Sequence, residues 1–212
     1  EYCEPCEAIV EGALVEVPPL EEREEFSLDG VTYEAFNTSG GLGTLAETLR
    51  GRVRTLNYQT IRYPGHAAIM KALLNDLGLR HRRDVLKDIF ESALPATMQD
   101  VVIIFVTVSG RKGGRLLQET YANKVYSRRV GDAVLSAIQL TTASGICAVL
   151  DMLARGDLPQ QGFIRQEDIA TQPCKIEPFI KSVQGVSSDH RIPPGFPPPR
   201  PCGYRPAITS SR

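Results

Sequence analysis

The sequence predicts an α+β fold, with helices packed on an antiparallel-dominated mixed sheet, and three features carry that prediction. Short runs of β-branched and aromatic residues recur at close spacing, separated by turn residues such as Glu11-Gly12 and Asp29-Gly30. Between residues 66 and 94 the period changes to that of two amphipathic helices. After Ile169 prolines crowd the chain and periodicity stops, which predicts a disordered tail beyond a body of residues 1–169.

The elements follow in order. Ala8-Ile9-Val10 and Ala13 to Val17 read as a hairpin closed by Glu11-Gly12 and ended by Pro18-Pro19. The glutamates from Glu21 to Glu25 read as a solvated loop or first helical turn, and Phe26 to Phe36 as two strands around Asp29-Gly30. A glycine-rich turn then opens a helix from about Thr44 to Arg50, which Gly51 stops. Arg52 to Tyr63 has good β-propensity. In the next helix Ile69, Met70, Leu73, Leu74 and Leu77 share one face, and Val85, Leu86, Ile89, Phe90 and Ala93 repeat the pattern from Arg82 to Leu94. The basic connection between the two, with His81, reads as solvated.

Val101 to Val108 is continuously apolar and predicts a strand deep in a sheet, with Arg115 to Tyr126 as its antiparallel partner. Ala133 to Leu140 predicts another strand. Thr141-Thr142-Ala143-Ser144 would then cap a helix from about Gly145 to Ala154, with Cys147 on its core face.

Tyr33 to His66 holds the candidate binding residues. Asn37, Thr38 and Ser39 offer short donors and acceptors, and Gly40, Gly41 and Gly43 let the backbone turn with N–H groups exposed at a helix start, a setting that suits a carboxylate or phosphate. Arg62 stands before the Tyr63-Pro64-Gly65 turn, where its guanidinium can grip a carboxylate in two places. The same spacing fits a plain helix cap at Thr38 or Ser39 and a surface ion pair at Arg62. His66 has an acid/base side chain but begins a helix, so it stands as a binding candidate, with Tyr63 as a lining aromatic or a core residue.

Gly41-Leu42-Gly43-Thr44-Leu45-Ala46 fits the dinucleotide pattern G-x-G-x-x-G/A. That reading is rejected. The approach, Phe36-Asn37-Thr38-Ser39, is not an apolar strand, and Leu56-Asn57-Tyr58-Gln59-Thr60 supplies no acid for a ribose.

These residues resemble the carboxy-terminal catalytic domain of the saccharopine dehydrogenase family. The resemblance rests on Glu34-Ala35-Phe36-Asn37-Thr38-Ser39-Gly40-Gly41-Leu42, on the strand leading into Thr60-Ile61-Arg62-Tyr63-Pro64-Gly65-His66, on Val102 to Ser109, and on Gln139-Leu140-Thr141-Thr142-Ala143-Ser144-Gly145 with the helix ending at Leu153-Ala154-Arg155-Gly156. It covers roughly residues 1 to 169, and its motifs are specific only in combination. The family, which includes saccharopine reductases and dehydrogenases, carboxynorspermidine synthases and some lysine dehydrogenases, implies NAD(P)-dependent chemistry at a secondary amine or imine.

The resemblance further implies an amino-terminal dinucleotide-binding half, absent here, followed by a substrate domain on a largely antiparallel sheet. The expected function is therefore the substrate-binding half of a saccharopine dehydrogenase-like oxidoreductase, inactive alone, with NAD or NADP bound mainly by the missing Rossmann half. Asn37, Thr38, Ser39, Gly40, Arg62, Tyr63 and His66 would face an amino-acid-like substrate, and Thr141 and Thr142 would present hydroxyls and helix N–H groups from the opposite wall. A homodimer is also expected from the family. The alternative is a non-catalytic dimerisation or regulatory module derived from it.

Composition sets the remaining bounds. At 212 residues and 42% hydrophobic, the chain supports one body with a real core. A net charge of -1 offers no basic field for nucleic acid. No continuous apolar run reaches the roughly 18 residues of a membrane span, and no signal-peptide pattern opens the chain, so a cytoplasmic protein is expected. The start at Glu1-Tyr2-Cys3 without a methionine suggests a piece of a longer protein. Cys3-Glu4-Pro5-Cys6 lacks a second pair or spaced histidines, so the five cysteines read as ordinary thiols and no metal site is expected. The proline-rich segment 170–212 reads as a frame-shifted or fused sequence, or less readily as a proline-rich ligand for a partner domain.

Overall fold

Two of the hairpins are set by their turns. In a computed structural model that describes residues 1–169, Glu11 and Gly12 have φ of 49° and 83°, and Asp29 and Gly30 have 55° and 78°. Two successive positive φ values make the type I′ turn whose twist matches antiparallel strands. Strands β1 (Cys6–Val10) and β2 (Ala13–Val17) pair across the first turn, and β3 (Glu24–Leu28) and β4 (Val31–Asn37) across the second. The segment 170–212, with its expected disorder, lies outside the described residues.

The described residues divide into two units, Glu1–Ala96 with Arg165–Glu167, and Thr97–Ile164 with Asp168 and Ile169. In the first, β4 also pairs antiparallel with β5 (Gln59–Arg62), giving the order β3-β4-β5. Between them lies α1 (Leu45–Leu49), a single turn. The strand expected over Arg52 to Tyr63 is confined to β5, preceded by an isolated bridge between Leu56 and Ile9. Part of the glutamate run forms the start of β3, where Glu24 and Glu25 are exposed on an edge strand.

Helix α2 (His66–Lys71) continues as a π turn from Ala72 to Asp76, and α3 (Arg83–Ala93) follows a short 3-10 turn. The core gathers Leu20, Phe36, Ala67, Met70, Leu74 and Leu86, with Tyr2, Cys3, Leu79 and Phe90 packed at its edge. Of the five residues expected on the α2 face, Met70 and Leu74 are buried, whereas Ile69 and Leu77 are exposed. The π turn accounts for part of this, because a wider turn rotates the residues after it off the 3.6-residue stripe. Cys6 is buried in β1, and burial raises its thiol pKa.

The second unit holds a long hairpin, β6 (Val101–Lys112) and β7 (Arg115–Tyr126), registered from Val101 opposite Tyr126 to Lys112 opposite Arg115. A short pair, β8 (Arg128–Val130) and β9 (Ala133–Leu135), leads into α4 (Ala137–Ala154). The architecture is thus α+β with antiparallel pairings and four α-helices among the described residues, divided among small sheets.

Three expectations fail in this unit. The run from Val101 to Val108 does not lie deep in a sheet: β6 pairs only with β7 among the described residues, and Ile104, Phe105, Val106 and Val108 are exposed. Apolarity reports what a strand needs covered, not what covers it.

The second concerns α4, which begins well before Gly145. Ser136 is its N-cap: its hydroxyl accepts from Gln139 N–H at 3.2 Å, and the Gln139 side chain accepts from Ser136 N–H at 3.0 Å. This is a capping box, and Asp100 adds acceptors for the N–H groups of Ala137 and Ile138 at 2.6 and 3.0 Å. Thr141 lies inside the helix, where its hydroxyl donates to the carbonyls of Ala137 and Ile138, so Thr141 and Thr142 present no free helix N-terminus.

The third concerns the apolar run. Helix α4 has 18 residues and is long and apolar enough, by length and composition, to cross a membrane. Gln139, Thr141, Thr142 and Ser144 interrupt the sequence, so counting continuous apolar residues misses it. Ala137, Leu140, Ala148 and Met152 are buried on one face, while Ile138, Ile146, Val149, Leu150 and Leu153 are exposed on the opposite one. Cys147, expected in the core, is exposed.

Replacing Ser136 with Ala is expected to lower unfolding stability by about 1 kcal/mol. Thr141→Ala, whose hydroxyl only bonds back into its own helix, should leave stability nearly unchanged. Chemical denaturation of both variants checks the assignment; the reverse order would move the cap.

Candidate functional site

Strand β4 is buried from Tyr33 to Asn37, although it carries an acid in the middle of that stretch. The Glu34 side chain is 0% exposed, and its burial is compensated from three directions. Its carboxylate accepts the N–H of Ala67 at 2.7 Å, the N–H of Gly65 at 3.1 Å and Arg23 Nε at 2.7 Å. Burial by itself would raise the Glu34 pKa, but these bonds outweigh it and hold the group below its ordinary value. The start of α2, an N-terminus that could have received an anion from outside, is therefore filled by the protein's own carboxylate. Gly65, with φ of 98°, provides the left-handed residue that turns the chain into α2.

That arrangement places Arg62 and His66 on either side of the Tyr63-Pro64-Gly65 turn. Arg62 stands opposite Glu34 in the β4–β5 ladder. His66 stacks on Phe36, with centroids 6.1 Å apart, and its Nε2 shares a 3.2 Å hydrogen bond with the Tyr2 hydroxyl. Burial lowers the His66 pKa, Arg62 lowers it further, and Glu34 opposes them.

The same surface is met by the Glu1–Tyr2 segment. The Glu1 main-chain oxygen accepts the Ser39 N–H at 3.0 Å and the Ser39 hydroxyl at 3.2 Å, and the Glu1 carboxylate lies 3.8 Å from Arg62. Tyr58 joins the group: burial raises its pKa, nearby Glu1 adds to that, and Arg62 opposes it. Of the sequence-identified residues, Ser39 and Arg62 thus meet Glu1, and His66 meets its neighbour Tyr2.

Asn37 and Thr38 are placed differently. Asn37 stands opposite Gln59 in the ladder, so by strand alternation its side chain leaves β4 on the other face from Arg62. Both residues are buried, and Asn37 Nδ2 and Thr38 Oγ1 have no hydrogen-bond partner among the described residues. Neither Thr38 nor Ser39 caps α1, whose N-cap is Thr44. The Thr44 hydroxyl donates to Glu167 at 3.0 Å, and Glu167 also accepts from the Thr48 hydroxyl at 2.5 Å. Tyr63 is exposed and stacks on Tyr33 with centroids 5.6 Å apart.

The glycine loop has two physical tasks. Gly40 and Gly43 take positive φ, as the tight turn requires. Gly41 lies against the ring of Tyr58, and any Cβ there would overlap the ring. The glycine that opens the dinucleotide-like motif therefore serves aromatic packing. With α1 only one turn long and β4 flanked by antiparallel neighbours, the loop does not fit a dinucleotide pyrophosphate. The short helix also removes the dipole expected at its start.

The saccharopine dehydrogenase C-terminal domain family matches residues 1–188. The chain belongs to that family. The match runs past the Ile169 boundary drawn from sequence and takes in part of the proline-containing segment. Saccharopine dehydrogenases are NAD(P)-dependent, and the residues of this saccharopine dehydrogenase domain described above provide no dinucleotide cradle at the glycine loop.

Sequence reasoning missed three participants: Glu34 as a buried anchor, Tyr58 as the wall against Gly41, and Glu1–Tyr2 as the covering segment. Only Glu34 left a signal, an acid among residues whose neighbours are all suited to burial. Thr141 and Thr142 belong to the second unit. A cleft of about 380 Å³ between Cys3, Arg83, Leu86, Lys87 and Phe90 shares Glu1 with the candidate site but none of the sequence-identified residues.

Two outcomes test this geometry. Glu34→Gln should destabilise the domain by about 2–4 kcal/mol at pH 7, because it leaves Arg23 and one backbone N–H without their charged acceptor. Since the Glu34 pKa is lowered on folding, its contribution is full above the ordinary glutamate value of 4.5 and disappears as pH falls through the folded value; the variant and parent stabilities should therefore converge in acid. Gly41→Ala should also destabilise, by about 1–3 kcal/mol, but should be nearly neutral in a Tyr58→Ala background. Additive effects in that cycle would place the constraint elsewhere.

Proposed function

We propose that this domain is the substrate-binding half of an NAD(P)-dependent oxidoreductase acting on the C–N bond of a secondary amine or imine that carries an amino-acid end. One observation supports this most: Ser39 and Arg62 converge on Glu1, which offers them a carbonyl oxygen and a carboxylate, and His66 meets the hydroxyl of the adjoining Tyr2. The Glu1 carbonyl and side-chain carboxylate stand in for the oxygens of an amino-acid-like ligand. Arg62 clamps a carboxylate, Ser39 N–H and Oγ hold a second oxygen, and His66, kept neutral by burial and by Arg62, adds a ring nitrogen.

Asn37 and Thr38, on the same loop, hold a donor and a hydroxyl in reserve for an occupant that reaches them. Gly40 gives the loop its turn, and Tyr63 lines its outer edge. The domain's share of catalysis is positioning, which accounts for a large part of the barrier reduction when two reacting groups must be aligned. NAD or NADP would be held by a separate dinucleotide-binding half.

A non-catalytic dimerisation or regulatory role draws on a different observation, the exposed apolar surface of α4 and β6. Joining the domain to a dinucleotide-binding half separates the readings, since an enzyme half restores substrate-dependent NAD(P)H oxidation and an interaction module does not.

In the full-length enzyme, Arg62→Ala should raise KM by about tenfold or more, the loss of a charge-assisted bond of about 1.5–3 kcal/mol, with a smaller effect on kcat. An unchanged KM would take Arg62 out of the site.

A further inference from the structure

The Ser39 donors that would hold a ligand are already in use. Its N–H, at 3.0 Å, and its hydroxyl, at 3.2 Å, both meet the Glu1 main-chain oxygen. The next residue covers the start of α2. The Tyr2 hydroxyl shares a 3.2 Å hydrogen bond with His66 Nε2, and the Tyr2 ring lies against Phe36 and His66 with centroids 6.1 and 5.7 Å away.

Glu1 serves Arg62 poorly, however. Its carboxylate stands 3.8 Å from Arg62 Nη2, with the two side chains 63% and 37% exposed, and Arg62 Nη1 turns back to the carbonyl of Ile61 at 2.9 Å. An exposed pair at that distance is worth little, whereas a free carboxylate seated on the guanidinium in two places gains a charge-assisted fork. The present occupant is thus held by bonds that a better ligand replaces.

The following residues are fastened elsewhere. The Cys3 carbonyl accepts from Arg80 Nη2 at 3.1 Å, Glu4 pairs with Arg83, and Cys3 packs at the edge of the core. The cleft of about 380 Å³ borders Glu1, Cys3 and Glu4 together with Leu86, Lys87 and Phe90 of α3. Cys3 and Glu4 therefore provide a fixed hinge, and Glu1 has open space beside it.

We propose that Glu1–Tyr2 is an autoinhibitory strap on the candidate site, hinged at Cys3–Glu4, which an incoming amino-acid ligand displaces from Ser39 and Arg62; this rests on the reading of that site as one for an amino-acid end. Competition for the same donors makes strap and ligand exclusive. While Glu1 holds Ser39, neither Ser39 donor is left for a ligand, and a ligand on Ser39 leaves the Glu1 carbonyl without its partner. The apparent affinity is then the intrinsic one reduced by the fraction of molecules whose strap is open.

The test is an amide-resolved NMR titration of the full chain with L-glutamate, followed at the Ser39 N–H and the Arg62 side chain. The α-carboxylate and side-chain carboxylate of the probe take the places of the Glu1 carbonyl and carboxylate. The double variant Glu1→Ala/Tyr2→Phe removes the ion pair and the bond to His66 but keeps the aromatic ring against the core. It should bind glutamate about fivefold more tightly than the parent, the worth of two weak contacts. Arg62→Ala should weaken binding by about tenfold in both backgrounds. Equal affinity in parent and double variant, with the dependence on Arg62 kept, overturns the strap and leaves the site standing. No change at Ser39 or Arg62 in either background at tens of millimolar glutamate overturns the site itself, and the strap with it.

Discussion

The first unit depends on a carboxylate that has no access to water. Glu34 sits in the middle of β4, and an unpaired charge there would cost several kcal/mol, more than any neighbouring contact returns. Its three partners come from the loop before β3 and the turn that opens α2, so neither can be misplaced without stranding the charge. The requirement also fixes register. A slip of one residue would turn Glu34 to the opposite face and carry Phe36 out of the core with it. Arg62 and His66 owe their placement to this anchor, because both flank the turn whose N–H groups Glu34 holds.

A similar economy governs the glycine loop. Three glycines close together invite a phosphate reading, yet in this structure each answers a local need, positive φ at Gly40 and Gly43 and contact with the Tyr58 ring at Gly41. A five-residue helix aligns too few peptide dipoles to attract an anion by itself. Under the proposed function, recognition would fall to discrete groups, the Ser39 N–H and hydroxyl and the Arg62 guanidinium. Such groups choose by geometry as well as by charge, and that suits a carboxylate on a defined amino-acid scaffold better than a diffuse anionic surface.

How much of this was legible follows from the range of each interaction. Glu11-Gly12 and Asp29-Gly30 announce their hairpins because a type I′ turn is decided by two adjacent residues. The α+β class follows from such local signals, and Arg62 and Ser39 draw notice as candidates by residue type beside a turn. The capping box at Ser136 and Gln139 is just as local, but the apolar stretch beginning at Ala133 reads as strand, and that reading moved the helix start too far along the chain. The π turn after Lys71 has no sequence signature, and it shifts Leu77 out of the expected face. The contact between Tyr2 and His66 joins residues 64 positions apart, which no spacing rule reaches.

Burial is the property that sequence conveys least well, and the second unit makes the reason plain. Val101 to Val108 has the composition of a central strand, and α4 that of a buried helix, yet among the described residues each leaves an apolar face exposed. Composition records how much apolar surface a segment has to cover, and says nothing of which neighbour covers it. A two-stranded ladder of 12 residues is marginal alone. Its base is helped by α4, which contacts both β6 and β7 and buries Leu140, Ala148 and Met152. Toward the tip that support fades, and Val108 and Leu116 stand 64% and 79% exposed. Among the described residues, the mismatch between composition and exposure is thus plain along the uncharged stretch of β6, whose side chains alternate between a face that α4 reaches only at the base and a face open to water.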